Sequence, residues 1–386
     1  MLKRFSAIAM AICASLAVNA QGQISGDGYY RVQNVYSGRY LTVINDYVKV
    51  NYASTSVDLS SMRSIMGFDN IAYRPASIIK IVKVEGTDNE YSLLSQGINT
   101  TTLLGGRNAH LTYYSKTNSY RCYGEDDGYG RMYISDALST KDTGWLNTNT
   151  SETRDWYIYP VSSSDCYFGI KPQIQVGKKY YASFYASFPI KIASSMKAYI
   201  VNEYSNYYEI ASLKEITDGI VPGATPVIIE CQYSDVEKNK VEILDTDYSA
   251  LSGNLLSGEY FCYMEASMTA NINHFTAFDA TTMRVLGTDS NGNLALVNST
   301  DNLTKVVNKG TEYIAIPENT AYLKVTSDTP ASLKLLSTAD YAAGVTEINA
   351  EDRKADDNVY TITGVKINDS NKKGMYITNG RKYVAY

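Results

Sequence analysis

The chain has 386 residues and a formal charge of −5, from 35 lysines and arginines against 40 aspartates and glutamates. An acidic chain without a run of lysine or arginine is a poor partner for nucleic acid or anionic lipid, so we expect neither as a ligand. Its 35 tyrosines, against 8 phenylalanines and 2 tryptophans, favour a folded, strand-rich protein, because a tyrosine ring fits a half-buried sheet while its hydroxyl reaches water.

The first twenty residues have the pattern of a secretory signal peptide. Lys3 and Arg4 form a positive start, residues 5–18 are almost uncharged and apolar, and Ala20 ends a small-residue cleavage site. The apolar run is too short to span a bilayer, which takes about 20 residues, and the residue before Cys13 is not the small one of a lipoprotein signal. We therefore predict cleavage after Ala20, no transmembrane segment in the mature chain, and export to the cell surface or beyond, with the periplasm as an alternative.

Short alternating segments separated by turn residues recur along the rest of the chain. Residues 29–35 and 39–43 flank a turn with glycine at its end, and residues 78–84 and 91–94 flank another turn; both patterns predict β-hairpins. The best helical candidates are short, at residues 60–66 and 281–286. This spacing predicts an all-β fold of sandwiches or barrels, and the length allows two or three domains.

Residues 25–165, the first section, carry partial threefold patterning. Residues 28–34 (GYYRVQN) lead through a small-residue turn to residues 39–43 (RYLTV), and residues 155–161 (DWYIYPV) close the section. Residues 77–84 form a similar close to a first repeat, with Ile79 in the place of the tryptophan. These features resemble a ricin-type β-trefoil, the three-repeat fold of many carbohydrate-binding modules. The Gln-x-Trp signature of that family is absent, so the resemblance implies a fold and carries over no sugar-binding residue.

Residues 166–340, the second section, contain two segments of similar sequence. Residues 221–228 (VPGATPVI) and 316–323 (IPENTAYL) share a proline turn that feeds an apolar strand. With residues 180–184 and 197–199, these segments resemble a β module of secreted and surface proteins of Bacteroidetes. The resemblance implies a sandwich of two antiparallel sheets.

Residues 341–386, the tail, begin with a charged run at residues 351–357, which we interpret as a solvated linker. Residues 359–367, 373–377 and 379–384 then predict strands and an Asn-Gly hairpin. They resemble the end of type IX secretion sorting domains of Bacteroidetes. This resemblance implies that the export machinery reads the tail as well as the signal peptide.

Four cysteines follow the signal peptide, and none forms a Cys-x-x-C pair: Cys122, Cys166, Cys231 and Cys262. Their spacing does not suggest zinc, and we expect no metal or other cofactor. Export permits disulfides, and four cysteines allow three pairings. Buried thiols are the alternative, because a chain of this length does not need covalent cross-links to bury a core.

The residues give little support to catalysis. His110 and His274 are the only histidines, and no zincin, serine-elbow, phosphate-loop or dinucleotide motif occurs. We expect a non-catalytic binding protein that recognises a glycan or another surface ligand. A structural or adhesive component that binds protein is one alternative. A glycosidase or accessory subunit of a polysaccharide-degrading system is another, because the two carboxylates of a glycosidase have no local signature.

Aromatic residues are the candidates for ligand binding, since sugar rings stack on aromatic planes. The crowded stretch contains Tyr113, Tyr114, Tyr120, Tyr123, Tyr129 and Trp145; we take Tyr113, Tyr114, Tyr120 and Trp145 as ligand-binding residues. Alternatively, every second member faces the core. Two acidic turns, at residues 125–128 and 289–293, could suggest calcium, but they lack an EF-hand pattern and are more simply read as turns.

Overall fold

The structure is a computed structural model of the chain. It describes residue 24 and residues 26–43, 56–57, 64–66, 71–94, 103–104, 110–123, 133–136, 146–148, 152–162, 166–246, 248–266, 271–308, 310–352, 359–361, 366–367, 374–378 and 381–385. The signal peptide, Tyr129, Trp145 and the acidic turn at residues 125–128 lie outside these ranges.

The predicted all-β fold class is confirmed. Strands make up 49% of the structure, about twice the usual share in soluble domains. Among the described residues, one α-helix is seen over its full length, α1 at Thr338–Asp352. Short 3₁₀ turns occur at Pro75–Ser77, Glu152–Arg154 and Val236–Asn239.

The described residues of the first section form twelve strands: β1 Gly28–Asn34, β2 Tyr40–Thr42, β3 Ser56–Val57, β4 Ser64–Met66, β5 Ile79–Lys83, β6 Glu90–Leu94, β7 Leu103–Leu104, β8 His110–Tyr114, β9 Ser119–Tyr123, β10 Ile134–Asp136, β11 Leu146–Thr148 and β12 Asp155–Pro160. The second section contains β13 Phe168–Gly169, β14 Ile174–Val176, β15 Lys179–Phe184, β16 Ile190–Lys191, β17 Met196–Ser205, β18 Ile210–Glu215, β19 Ile220–Val221, β20 Val227–Cys231, β21 Lys240–Ile243, β22 Leu256–Glu259, β23 Tyr263–Ala266, β24 Asn271–His274, β25 Met283–Thr288, β26 Leu294–Val297, β27 Thr304–Asn308, β28 Thr311–Ala315, β29 Thr320–Lys324 and β30 Ser332–Ser337. The tail contains β31 Val359–Thr361, β32 Lys366–Ile367, β33 Gly374–Thr378 and β34 Arg381–Ala385.

Six strands of the first section form a closed ring. Strand β1 pairs with β12 and β5, β5 with β6, β6 with β8, β8 with β9, and β9 with β12, all antiparallel. The ring thus consists of three strand pairs that follow one another in the chain, β1/β5, β6/β8 and β9/β12. Between the members of each pair the chain leaves the ring: β2 to β4 in the first, β7 in the second, and the β10–β11 hairpin in the third.

The interior of the ring is an apolar core. Trp156, only 1% exposed, packs there with Ile79, Ile81, Leu93 and Leu111. Its indole Nε1 donates a hydrogen bond to the backbone oxygen of Ile134, 3.0 Å away, so the one polar atom of the ring is satisfied. Burial of each such side chain stabilises the fold by roughly 1.5–3 kcal/mol. Trp156 and Ile79, which the sequence places at matching positions of two repeats, are thus both buried in this core.

Two predicted hairpins are confirmed. Strands β1 and β2 are joined through Gly38, whose φ of 71° is the left-handed conformation that glycine adopts without steric cost. Asn34 reinforces this turn, because its side-chain oxygen accepts hydrogen bonds from the backbone nitrogens of Tyr36 and Ser37. Strands β5 and β6 form the second hairpin.

The second section has a sandwich-like arrangement of a large and a small sheet. The large sheet has the strand order β14-β15-β20-β17-β18-β30-β26-β25-β29-β22, and the small one β13-β21-β16-β19. The large sheet curls, so that one apolar face encloses a core that includes Ile228, Leu296 and Leu323. Its opposite face, with Ile229, packs with the small sheet around Phe168. The β18–β30 ladder is parallel, which differs from the all-antiparallel pairing that the sequence predicted.

The two similar segments of the second section have the same pattern of strand pairing. Strand β20 follows the first proline turn and pairs with β15 and with β17, the first strand of the β17–β18 hairpin. Strand β29 follows the second and pairs likewise with β22 and with β25 of the β25–β26 hairpin. Ala224 and Asn319, at the same position of the two turns, have φ values of 56° and 54°. The similarity of the two segments in sequence therefore reflects a shared backbone geometry.

The two sections share their cores at the junction. Phe261, from the second section, lies in the apolar core of the ring, and Ile78, from the first section, lies in the core beside the small sheet. Arg31 of β1, fully buried, reaches across: its Nη1 donates to the backbone oxygen of Tyr167 at 2.5 Å. Its Nη2 donates to the oxygen of Ile71 at 3.3 Å, and desolvation lowers the pKa of the guanidinium.

The prediction of two short helices is wrong in the residues that the structure describes. Residues 64–66 form β4, and Met283–Thr288 form β25. Asp279 accepts hydrogen bonds from Thr281 and Thr282 in the manner of a helix cap. Only a single turn follows, because pairing with β26 and β29 then determines the backbone.

The helix α1 was not predicted, although the sequence contains its start signal. Ser337 is the N-cap: its hydroxyl accepts a hydrogen bond from the backbone nitrogen of Asp340 and donates one to the Asp340 carboxylate. The helix packs against β18 and β30, and its end overlaps the start of the predicted charged linker at residues 351–352. Beyond it, β33 and β34 form the predicted terminal hairpin.

Candidate functional site

The described tyrosines of the predicted binding stretch do not form an exposed platform. Tyr120 is 3% exposed, and its hydroxyl accepts a hydrogen bond from the backbone nitrogen of Ile24 at 2.7 Å. The ring of Tyr113 packs against that of Tyr120, with 5.4 Å between centroids. Tyr120 therefore belongs to the core, because alternate residues of β9 face the inside of the ring.

Tyr114 lies on the outside of the ring, where a cation covers it. The guanidinium carbon of Arg121 is 3.6 Å from the centroid of the Tyr114 ring, a cation–π contact. Arg121 Nε also donates to the carboxylate of Asp155 at 2.9 Å. Tyr123 is described in its backbone alone, and Tyr129 and Trp145 lie outside the described residues.

The described contacts of His110 and of the acidic turn at residues 289–293 are structural. His110 is buried, with Nε2 3.4 Å from an oxygen of Glu90, and the side chain of His274 lies outside the described atoms. Asp289 accepts hydrogen bonds from the side-chain amide of Asn293 and from the backbone nitrogens of Asn291 and Asn293. These bonds, the side-chain one above all, lower its pKa. Residues 289–293 are thus the turn of the β25–β26 hairpin. In the described ranges, no three His, Cys, Asp or Glu side chains are grouped closely enough for a metal site.

A cleft of about 650 Å³ opens at the junction of the two sections. The first section contributes the loop before the Pro75–Ser77 turn, and the second contributes the segment before β14, strand β15 and the proline turn before β29. The polar side chains that line the cleft are Tyr73, Arg74, Lys171, Gln173, Ser183, Cys262, Asn302, Thr304, Glu318, Asn319 and Thr320. Its volume is in the range of small-molecule sites, about 300–1,000 Å³.

An ion pair spans the cleft between the sections. Nη1 of Arg74 is 2.7 Å from Oε1 of Glu318, and both side chains are partly exposed. Desolvation by the cleft walls raises the pKa of Glu318, although the charge of Arg74 opposes this shift. Nε of Arg74 is buried and has no hydrogen-bond partner. The pair thus presents one carboxylate and an incompletely bonded guanidinium.

Tyr73 lies beside two cations. Nζ of Lys171 is 4.3 Å from the centroid of the Tyr73 ring, and the guanidinium carbon of Arg74 is 5.8 Å from it. Desolvation would raise the pKa of the phenol, but hydrogen bonds to Arg74 and Lys171 and their charges outweigh it, so that the pKa is lowered. The site therefore combines a half-buried aromatic ring with positive charge.

The sequence alone does not indicate this cleft, because the residues that line it are far apart in the chain. Arg74 and Glu318 are separated by 244 positions, and no local pattern links them. The proline turn that carries Glu318 was identified, but only as one of two similar segments of the second section. What could have drawn notice is the Tyr-Arg-Pro run at residues 73–75, where an aromatic and a cation directly precede a turn.

No protein family, curated protein or solved structure matches the chain. None of the helices among the described residues has the length and apolar character needed to cross a membrane. The arrangement at the cleft is therefore interpreted from its own chemistry. It provides donors, acceptors and the aromatic ring of Tyr73, which suit a polar ligand rich in hydroxyl groups.

Proposed function

We propose that the protein is an exported, non-catalytic binding protein that recognises a glycan in the cleft between its two sections. The observation that carries this proposal is the cleft itself, where Tyr73, Arg74 and Glu318 converge in a concave space of about 650 Å³. Sugars present hydroxyl groups that both donate and accept hydrogen bonds, and amides, carboxylates and guanidinium groups match them. A ring such as Tyr73 supplies the apolar contact.

The proposal extends to the architecture. We interpret the ring of three strand pairs with three excursions as a ricin-type β-trefoil, the second section as a β-sandwich, and the tail as a sorting signal of Bacteroidetes type. The first of these is supported by the pairing order, since a three-repeat sequence would give three equivalent pairs. Placement at the cell surface or outside the cell rests on the pattern of the first twenty residues, and N-terminal mass spectrometry that finds Gln21 first would support it.

A glycosidase needs two carboxylates that flank the bond to be cleaved. Glu318 is the one carboxylate among the described residues that line the cleft. The cleft thus favours binding over hydrolysis.

A glycan array probed with residues 21–386 tests the function. We expect bound glycans, and we expect Arg74→Ala to weaken binding because it removes a donor and leaves Glu318 without its ion-pair partner. Lys197→Ala is the matched control, since Lys197 pairs with Glu215 in the same way on the exposed β17–β18 surface. Turnover of a glycan would support the enzyme instead, and a silent array would support a structural or adhesive role.

A further inference from the structure

The cleft carries a charge opposite in sign to that of the whole chain. Its described lining residues include two cations, Arg74 and Lys171, and one carboxylate, Glu318, whereas the chain has a net charge of −5. A cleft with low-dielectric walls concentrates the field of the charges that line it. The ligand that benefits most from this location is therefore negatively charged.

The positive charge that remains uncompensated belongs to Lys171. Arg74 is paired with Glu318 at 2.7 Å. Lys171 has no ion pair with a carboxylate in the described part of the chain, and its contact is with Tyr73, 4.3 Å from the ring centroid. A hydroxyl group is a weaker partner for an ammonium group than a carboxylate, because hydrogen bonds between two charged groups are the stronger ones. Lys171 can therefore accept an anionic partner without losing one.

Arg74 adds to the positive field beside Lys171, because its guanidinium carbon lies 5.8 Å from the centroid of the same Tyr73 ring. Its Nη1 is engaged by Glu318, and its Nε is buried, out of reach of a ligand in the cleft. Lys171 is therefore the donor for a charge-assisted bond, which is about twice as strong as a neutral one.

From this arrangement we infer that the cleft binds an acidic glycan, one whose sugar ring bears a carboxylate or a sulfate group, and that Lys171 pairs with that group. This inference rests on the proposed glycan-binding function and adds its ligand class. A neutral glycan of the same shape gains the ring contact and the hydroxyl contacts, but not the charge-assisted bond to Lys171.

Two matched pairs of probes test the inference by titration calorimetry. One pair is an oligogalacturonate and its methyl ester, and the other is a sulfated galactan oligosaccharide and its desulfated form. In each pair the sugar backbone is the same, and the negative charge is removed by esterification or by loss of the sulfate group. The proteins are the unaltered chain from residue 21, Lys171→Gln, Lys171→Arg, and Lys197→Gln as a control at an exposed lysine away from the cleft.

We expect at least one charged probe to bind about tenfold or more tightly than its neutral form, the effect of one charge-assisted hydrogen bond. Lys171→Gln should remove that difference, whereas Lys171→Arg and Lys197→Gln should keep it. Raised salt should weaken the charged probe alone. Which charged probe binds distinguishes a carboxylate from a sulfate.

Three results would overturn the inference, and they are distinguishable. Equal binding of charged and neutral probes, unaltered in Lys171→Gln, refutes the acidic ligand and leaves the glycan-binding function in place. Absence of binding to every probe, together with a silent glycan array, refutes the function and the inference with it. A loss of binding in Lys197→Gln as large as in Lys171→Gln shows that the charge effect does not come from the cleft.

Discussion

Ser183 connects the two ends of the curled sheet to each other through Ala321. Its hydroxyl donates to the backbone oxygen of Ala321 at 2.7 Å and accepts from the Ala321 nitrogen at 2.6 Å. Strands β15 and β29, which carry these residues, are second from either end of the ten-stranded order. One side chain thus substitutes for a missing strand-to-strand ladder.

We expect Ser183→Ala to destabilise the protein by about 1–3 kcal/mol, because it leaves the buried backbone groups of Ala321 without this partner. Urea unfolding followed by circular dichroism measures the change. Ser194→Ala, at an exposed serine, should stay within about 0.5 kcal/mol of the unaltered protein. Equal stability of the two variants would mean that the sheet does not depend on this contact.

Replacement of Arg31 tests the contact between the sections. Arg31→Met keeps much of the side-chain volume but removes the donor to the backbone oxygen of Tyr167, at a cost of about 1–3 kcal/mol. The oxygen of Ile71 keeps its bonds from the nitrogen of Arg74 and the hydroxyl of Ser77. Arg31→Lys should recover part of this loss, since an ammonium group can reach one oxygen but not both. Thermal unfolding of the two variants measures this order, and a melting temperature unchanged in Arg31→Met contradicts it.

Two substitutions at Trp156 separate its packing from its hydrogen bond. Trp156→Ala should cost about 3–5 kcal/mol, as large-to-small changes in a core do. Trp156→Phe keeps an aromatic ring and should cost less, with a contribution of about 1 kcal/mol from the lost bond to Ile134. Chemical denaturation gives both values. A Phe variant as unstable as the Ala variant would show that the hydrogen bond dominates.

The described cysteines are not joined to one another by disulfides, and three of them should resist alkylation in the folded protein. Desolvation raises the pKa of Cys122, Cys231 and Cys262 to about 12, so at pH 8 the reactive thiolate is about one part in ten thousand. In denaturant without reductant, iodoacetamide should modify all four cysteines of the mature chain. Mass spectrometry that finds two or four of them protected would show disulfides.

Binding of an acidic ligand should strengthen as the pH falls. The pKa of Glu318 is raised by desolvation, with Arg74 opposing, so protonation of Glu318 removes a negative charge and releases Arg74. The other titratable groups at this site are Tyr73, Lys171 and Cys262; desolvation raises the pKa of Cys262 to about 12, and hydrogen bonds to Arg74 and Lys171 lower that of Tyr73 against desolvation. A sulfated probe, whose own charge is constant, should bind more tightly at about pH 5 than at about pH 7.

The matched variant for this pH profile is Glu318→Gln. It should bind the sulfated probe at neutral pH as tightly as the unaltered protein does at low pH, and it should lose the pH dependence. If Glu318→Gln retains the full pH profile, the titrating group is another one.

Local features of the fold could be predicted from the sequence, and long-range ones could not. The hairpin at Gly38 follows from a turn residue, and the core position of Trp156 follows from strand alternation. Each signal lies within a few positions in the chain. The partners of Arg31 lie 40 to 136 positions away, and tertiary packing alone brings them together. Tyr120 was misplaced because composition does not tell which of two alternating faces a strand buries.

The exchange of Phe261 and Ile78 between the two cores has a consequence for the history of the chain. A recombination event near residue 165 would leave each half with a gap where the other half's side chain had been. Fusion of either half to an unrelated partner would expose that gap to water. We therefore expect the two halves to have been inherited as one piece, with loops and the tail as the places where lineages diverge.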